Sequence, residues 1–475
     1  MGTKLTSRAI EATVAAMFFV ACLDPPRKLP DDTAGAGGLG TGGGSASGGK
    51  GATSSGGSSG SATGAKGGSG AKGGTGAKGG SSTGARGGRG GSSSSGATGG
   101  TSDGATGGTT SGDAGEGGAA GALGGEGGMG AAAGEGSAGE NTGPNACDTA
   151  VVGGHLPWRA PGDGGIEKPA GTPGNLQVLN WAGFKGAVTF TFDDNTGSQV
   201  SNYALLNGVG VRMTFYLVCS ADGSNPIWTT AAADGHELGN HTVHHCMANG
   251  QTGCWGGTYL GVDAEIDQCT EHLMSAFGVP GVYTMASPMG DANWDVPASQ
   301  RFLANRGVAD TALGVRPNDG TNPFELPCHI ADEGEKAVQA VGGFNAVTDS
   351  VRTNGSWRII LNHSLGNNDG YHPVDPAEVV AAMTYARDVG DVWVDSLVNV
   401  AAYWRGQKAV SSVQPTVQGD DIVYSWTLPA HFPPGRYLRV KVDGGTVSQC
   451  GTELEWDEHG YYELALDAGS VTISP

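Results

Sequence analysis

The run Gly186-Ala187-Val188-Thr189-Phe190-Thr191-Phe192 passes directly into Asp193-Asp194, and no other stretch constrains the chain so tightly. Large apolar side chains at Val188, Phe190 and Phe192 alternate with threonines, which is the pattern of a buried β-strand. Two adjacent carboxylates at the end of such a strand repel each other and resist desolvation, and a divalent cation relieves both problems. Further along, Gly235-His236-Glu237-Leu238-Gly239-Asn240-His241-Thr242-Val243-His244-His245 offers imidazoles at i and i+4. A helical turn there would place His241 and His245 on one face, where both can hold one metal. One carboxylate and two imidazoles leave coordination positions open, the plan of a catalytic rather than a structural site. A third segment, Arg358-Ile359-Ile360-Leu361-Asn362-His363, reads as another apolar strand that ends on a histidine. Each feature alone is common on protein surfaces; their succession in this order points to a shared site.

These segments resemble the motifs of the NodB-homology polysaccharide deacetylases, over about residues 155–405. Thr191-Phe192-Asp193-Asp194 is similar to the first motif, with Asn195 where the family carries glycine. His241-Thr242-Val243-His244-His245 matches the second, and Ile360-Leu361-Asn362-His363 resembles the motif that supplies a catalytic acid. The resemblance implies a distorted parallel βα barrel of fewer than eight strands, and hydrolysis of N-acetyl or O-acetyl groups on a polysaccharide such as a chitin-like polymer, peptidoglycan or xylan. It implies that Asp194, His241 and His245 bind a divalent metal, Zn2+ first and Co2+, Ni2+ or Mn2+ as alternatives. Asp193 becomes the general base, His363 the general acid and the Met289 backbone N–H the oxyanion donor, with Pro288 and Leu361 lining the acetyl pocket. The family's Arg-x-Pro-Tyr/Phe-Gly motif reads Ala286-Ser287-Pro288-Met289-Gly290 here, without its arginine or its aromatic ring. Either the base lacks a neighbouring cation, or Arg301 or Arg316 reaches it from elsewhere. Two other readings stay open: a catalytically impaired glycan-binding surface lipoprotein, and a non-haem iron oxygenase built on two histidines and a carboxylate.

Residues 1–22 read as a lipoprotein-type signal peptide, with Lys4 and Arg8 ahead of an apolar run and Phe19-Val20-Ala21-Cys22 as the cleavage box. An exported lipoprotein anchored through Cys22 at the cell surface or in the periplasm is expected, or otherwise a secreted protein. Residues 23–145 are almost all Gly, Ser, Ala and Thr, too poor in apolar side chains to offset the entropy of ordering, and read as a disordered tether. Six basic residues from Lys50 to Arg89 and six acidic ones from Asp103 to Glu140 roughly cancel within it. The net charge of −20 therefore belongs mainly to the residues beyond the tether, which argues against a nucleic-acid partner.

Residues 146–406 alternate strand and helix patterns and read as one α/β catalytic domain. Strands are expected at 187–192, 211–218, 282–286, 357–361 and 392–394. Helices are expected at 199–207, 263–277, 300–307, from Asp375-Pro376 to about Val389, and at 396–404. Residues 407–475 read as a small β-sandwich-like module, with Tyr437–Val442 alternating strictly and Asp443-Gly444-Gly445 as a hairpin signal. Its aromatic residues serve as core or as a sugar platform. With Cys22 lipidated, seven cysteines remain, so at least one is unpaired within the chain, and Cys246 is expected to pair locally with Cys219 or Cys254.

Overall fold

The computed structural model describes residues 146–221, 224–366 and 369–475. The expected signal peptide at 1–22, with its anchor at Cys22, and the expected tether at 23–145 lie outside the described residues. A short helix, α1 (Ala146–Thr149), and a strand, β1 (Leu176–Val178), precede the barrel. The barrel then runs β2 (Gly186–Asp193), α2 (Gly197–Asn207), β3 (Thr214–Leu217), α3 (Ile227–Ala233), β4 (Glu237–Asn240), α4 (Val262–Phe277), β5 (Thr284–Ala286) and α5 (Asp295–Ser299). It continues through β6 (Ala304–Arg306), β7 (His329–Ile330), α6 (Phe344–Asn354), β8 (Trp357–Asn362), α7 (Pro376–Asp388), β9 (Val392–Val394) and α8 (Leu397–Ser411).

Strands β2–β9 form one curled, all-parallel sheet in the order β6-β5-β4-β3-β2-β8-β7, with β9 beside the first three residues of β2. A parallel bridge between Arg306 and Leu326 brings β6 alongside the chain that leads into β7. This is the expected distorted barrel, but its sheet holds eight strands, because β9 joins outside the main order.

Every residue of β2 is buried, as befits a strand covered on both faces. Val188, Phe190 and Phe192 pack outward with Tyr203 and Leu206 of α2 and Val379 and Met383 of α7. Thr189 and Thr191 face the other way; Trp357 Nε1 donates to Thr189 Oγ1 at 3.0 Å, and Thr191 Oγ1 donates to the Ile360 carbonyl at 3.3 Å. The alternation therefore stacks helices against one face and leaves the other, with its terminal Asp193, toward the barrel interior. Asp375 caps α7 by accepting from Ala377 N at 2.9 Å, with Pro376 in the first turn, as read from sequence.

Several expectations are corrected. Residues 304–306 form strand β6 and not a helix over 300–307: Leu303 N donates to the Tyr283 carbonyl and β6 ladders with β5, so tertiary pairing overrides helix propensity. The segment from His241 to His245 is a tight loop rather than a helical turn, with Thr242 at φ 64° and His245 at φ 53°. Strand β3 covers only Thr214–Leu217, and α8 runs on to Ser411.

The remaining strands are β10 (Thr416–Gln418), β11 (Asp421–Ser425), β12 (Tyr437–Val442), β13 (Thr446–Gln449), β14 (Thr452–Glu453), β15 (Tyr462–Ala465) and β16 (Ser470–Ser474). They build a three-stranded sheet, β1-β12-β15, and a five-stranded sheet, β10-β11-β16-β13-β14, both antiparallel. Asp443-Gly444-Gly445 is thus no hairpin; it carries the chain from one sheet to the other. Its glycines lie against incoming backbone, since a Cβ on Gly444 would meet the Thr172 carbonyl at 2.5 Å. The aromatics of this region are core: Tyr424, Trp426, Tyr461 and Tyr462 are buried, and Trp456 donates from Nε1 to the Ile166 carbonyl at 2.8 Å. Disulfides join Cys147 to Cys450, Cys219 to Cys269, and Cys246 to Cys254; Cys328 is free and buried. Three disulfides are the mark of a chain that matures in an oxidising compartment. No helix among the described residues is long and apolar enough to cross a membrane.

Candidate active site

The carboxyl ends of β2, β4, β5, β6 and β8 converge at one end of the barrel, where parallel strands leave loops free to carry chemistry. Asp193 closes β2, and Asp194 comes next at φ 76°, a left-handed conformation that L residues adopt at a cost. Asp194 Oδ1 lies 3.4 Å from His241 Nε2 and 3.5 Å from His245 Nε2. The ligand atoms of Asp194, His241 and His245 all fall within 4.8 Å of one another, and all three residues are buried. Tetrahedral Zn2+ with bonds near 2.0–2.1 Å spaces its ligands by about 3.3 Å, so the set fits one cation. Two further observations agree with that fit. Asp194 Oδ1 and His245 Nδ1 are buried without a hydrogen-bond partner. His241 Nδ1 lies 2.8 Å from the Ala286 carbonyl, which fixes the proton on Nδ1 and turns the Nε2 lone pair toward Asp194.

The local electrostatics suit a cation. Burial pushes the Asp194 carboxyl up, but His241, His245 and His363 outweigh it and hold the group below its ordinary value. Burial together with His241 drops His245 to about 4, so its imidazole is neutral at pH 7. Burial opposes charge on His241, yet Asp193 and Asp194 raise it above its ordinary value.

The missing motif arginine has a replacement, and it is neither Arg301 nor Arg316. Arg301 is spent on the helix surface, bound to Asp263 at 2.7 Å and Asp267 at 2.5 Å, and Arg316 is exposed in a loop where its backbone N–H donates to Asp319 Oδ2 at 2.7 Å. Arg306, fully buried at the end of β6, hydrogen-bonds Asp193 Oδ2 through Nη2. Its guanidinium lies 5.5 Å from the Tyr216 ring centroid, and Asp193 outweighs its burial to raise its pKa further. Ala286 and Arg306 are direct cross-strand partners in the β5–β6 ladder. The cation has therefore moved one strand sideways and still reaches the same carboxylate. The sequence hid this because residues 300–307 resemble a helix; the signal was a lone arginine between an apolar pair, Phe302-Leu303, and Gly307.

Asn195, in place of the family's glycine, adopts φ 39°, which asparagine tolerates better than most residues. Its Oδ1 accepts from Val218 N at 2.9 Å, and its amide group donates to the Val218 and Ala221 carbonyls, tying the ends of β2 and β3 together. Gln199, buried in the first turn of α2, donates from Nε2 to the carbonyls of Asp193 and His363, linking the two strand ends that bear them. Burial lowers the His363 pKa, and its Nδ1 has no protein partner.

Leu361 is buried in the barrel interior with Tyr216 and Ala286. Pro288 and Met289 form a one-turn 3-10 segment after β5, with Pro288 buried, and Met289 at φ 56° and 53 % exposed on the rim. Sequence reasoning also passed over Trp255, whose ring stacks on His245 at 4.0 Å, and Tyr371, whose ring meets His363 at 5.2 Å.

Residues 183–308 match the family model described as Polysaccharide deacetylase. The chain carries a NodB-homology polysaccharide deacetylase domain, whose family is one of hydrolases that act on acetyl groups. It is 29 % identical over 219 residues to a Bacillus protein named Gellan lyase, a match over 42 % of this chain that spans only 8 % of that protein. Among solved structures, a Mycobacterium smegmatis protein described as a polysaccharide deacetylase overlaps 52 % of this chain and 96 % of its own (20 % identity, TM-score 0.34). A family 4 acetyl xylan esterase from Clostridium thermocellum, in complex with a cobalt ion, overlaps 45 % of this chain and 89 % of its own (18 % identity, TM-score 0.30).

Proposed function

We propose that the chain is a metal-dependent deacetylase that removes N-acetyl or O-acetyl groups from a polysaccharide outside the cytoplasm. In this reading residues 146–406 are the catalytic domain, 407–475 a β module and 23–145 a tether, with Cys22 as the membrane anchor. The observation that carries the reading is the position of Asp193: its Oδ2 is held by Arg306 while its Oδ1 is buried with no protein partner. Such a carboxylate is oriented by one oxygen and free to accept a proton on the other.

Asp194, His241 and His245 would hold the cation. When bound, a divalent metal supplies Lewis acidity, acidifying water and polarising an acetyl carbonyl. Asp193 Oδ1 takes the proton of the attacking water, and Arg306 keeps Oδ2 from turning away. As the acyl C–N or C–O bond breaks, His363 gives its proton to the leaving amine or alkoxide. The Met289 backbone N–H serves as oxyanion donor; it depends only on backbone, so loss of the family's aromatic side chain leaves it in place. Pro288 and Leu361 wall the acetyl methyl.

A glycan-binding pseudoenzyme would follow from a carboxylate with no cation beside it; Arg306 beside Asp193 weighs against it. An iron oxygenase leaves Asp193 and His363 without work. Acetate release from acetylated chitin oligomers, peptidoglycan and acetylxylan by the zinc-loaded protein tests the proposal, and binding without release would favour the pseudoenzyme. For the anchor, Cys22→Ser is expected to shift the protein out of the membrane fraction; unchanged membrane association would reject it.

A further inference from the structure

The stretch from His241 to His245 is neither helix nor strand, so its backbone N–H groups need acceptors that no regular element supplies. Thr242 N donates to Asn240 Oδ1 at 2.8 Å, and His245 N donates to Thr242 Oγ1 at 3.0 Å. The two residues between them are held by Glu265, in the first turn of α4. Its carbonyl accepts from Val243 N at 3.0 Å, and its Oε2 accepts from His244 N at 2.8 Å. Glu265 Oε1 lies 2.9 Å from His244 Nδ1 and accepts from Leu260 N at 3.1 Å. That last bond ties down the segment that carries Trp255, whose N–H donates to the His244 carbonyl at 2.6 Å and whose ring covers His245. The Glu265 carboxylate is fully buried, and burying a carboxylate is costly unless several donors meet it. Here those donors come from the two stretches of chain that wrap His245.

We propose that Glu265 is a positioning residue for the metal ligands, acting through His244 to hold the loop in the shape that aims His241 Nε2 and His245 Nε2 at Asp194. Thr242 and His245 sit at φ 64° and φ 53°, conformations that L residues adopt at a cost, so this loop relaxes unless its neighbours hold it. On a helix the i, i+4 spacing would bring the two rings together unaided. In this loop a latch has to do it. His244 lies between the ligands in sequence but outside the ligand set, and it is the latch's second half. Glu265 binds neither cation nor substrate and acts only by positioning. The inference rests on the metal-site reading above.

The test reads zinc affinity rather than turnover. The full chain, stripped of metal by a chelator, is titrated with Zn2+ against a chromophoric competitor, and thermal unfolding of the stripped protein is followed in parallel. The zinc Kd is expected to rise about tenfold or more in Glu265→Leu and in His244→Ala, the scale on which support of metal ligands is felt. Glu265→Gln keeps an acceptor for His244 N and should recover part of that loss. Glu265→Gln is also nearly isosteric, so it carries the test if the leucine variant does not fold; its Kd should still exceed the wild-type value. A wild-type Kd in His244→Ala and in every folded Glu265 variant overturns the proposal, and a lowered unfolding midpoint beside that unchanged Kd would mark Glu265 as plain packing. A wild type that takes up no zinc overturns the metal-site reading and this inference with it, whereas a wild type that binds zinc no better than its variants overturns this inference alone.

Discussion

Arg306 and Asp193 lie 113 residues apart in the chain and meet as a buried ion pair, one from the end of β6 and the other from the end of β2. The guanidinium arrives from the residue that ladders directly with Ala286, the position where the family motif would place it. The barrel can thus present a cation to this carboxylate from either of two neighbouring strands.

Arg306→Met should leave Asp193 as an uncompensated buried charge, at a stability cost of about 3–5 kcal/mol. It should also lower kcat/KM, since Asp193 Oδ2 loses the donor that orients it. Arg301→Ala and Arg316→Ala should leave kcat/KM in place, because Arg301 is bound to Asp263 and Asp267 and Arg316 is exposed in its own loop. Rates of the three variants decide which arginine serves Asp193.

Ala286→Arg alone should harm the protein, because Ala286 is fully buried and its neighbour already fills the space with one guanidinium. Ala286→Arg combined with Arg306→Ala should recover part of the activity lost in Arg306→Ala. Failure of the pair to exceed the single variant, measured as kcat/KM, would mean that the two positions do not share one function.

Replacement of His241 or His245 by Ala should abolish both metal retention and acetate release, since two remaining ligands seldom hold zinc tightly. Asp194→Asn should lose metal. Full zinc occupancy in a His241→Ala, His245→Ala double variant, measured by elemental analysis, would remove this set from consideration.

Asn195→Gly should cost only about 1 kcal/mol, the loss of its bonds to the β3 end, because glycine accepts the positive φ. Asn195→Ala should cost about 1 kcal/mol more, since alanine adds backbone strain at φ 39°. Denaturant melts of the two variants should rank them in that order.

Asp391 carries the clearest pH signature. Hydrogen bonds from Arg352 foremost, with Lys185 adding to them, hold its carboxyl at about 2 against an ordinary 3.8. A depressed folded value means stability that is present above 3.8 and lost as the pH falls through about 2. Arg352→Met should therefore destabilise the protein slightly at pH 7, as expected for a solvent-screened pair. The gap to the wild type in urea melts should shrink at pH 3; an equal gap at both pH values would assign the cost to lost packing.

What could be read from sequence was whatever repeats over enough residues. Strand β2 shows its two faces in eight residues, and α7 announces its start with Asp375 and Pro376. Strands β6 and β7 have three and two residues, too few for any period, and Asn305 and Arg306 make β6 look like a polar helix turn. The candidate metal ligands are legible but their local geometry is not: HxxxH suggests a helical face, yet positive φ at Thr242 and His245 brings the rings to 4.7 Å in a loop. Trp255 and Tyr371 were invisible because their significance lies in stacking on His245 and His363, which only the folded chain brings about.

Acetate release by the zinc-loaded full chain, with zinc content and turnover read on the same samples of wild type and Asp193→Asn, bears most directly on the account. The wild type should release acetate from at least one acetylated polymer among chitin oligomer, peptidoglycan and xylan. Asp193→Asn should keep its zinc and lose about 10²–10⁴-fold in kcat, the usual worth of a general base. An Asp193→Asn protein that retains zinc and hydrolyses at the wild-type rate, or a zinc-loaded wild type that releases no acetate from any of the three, would contradict it.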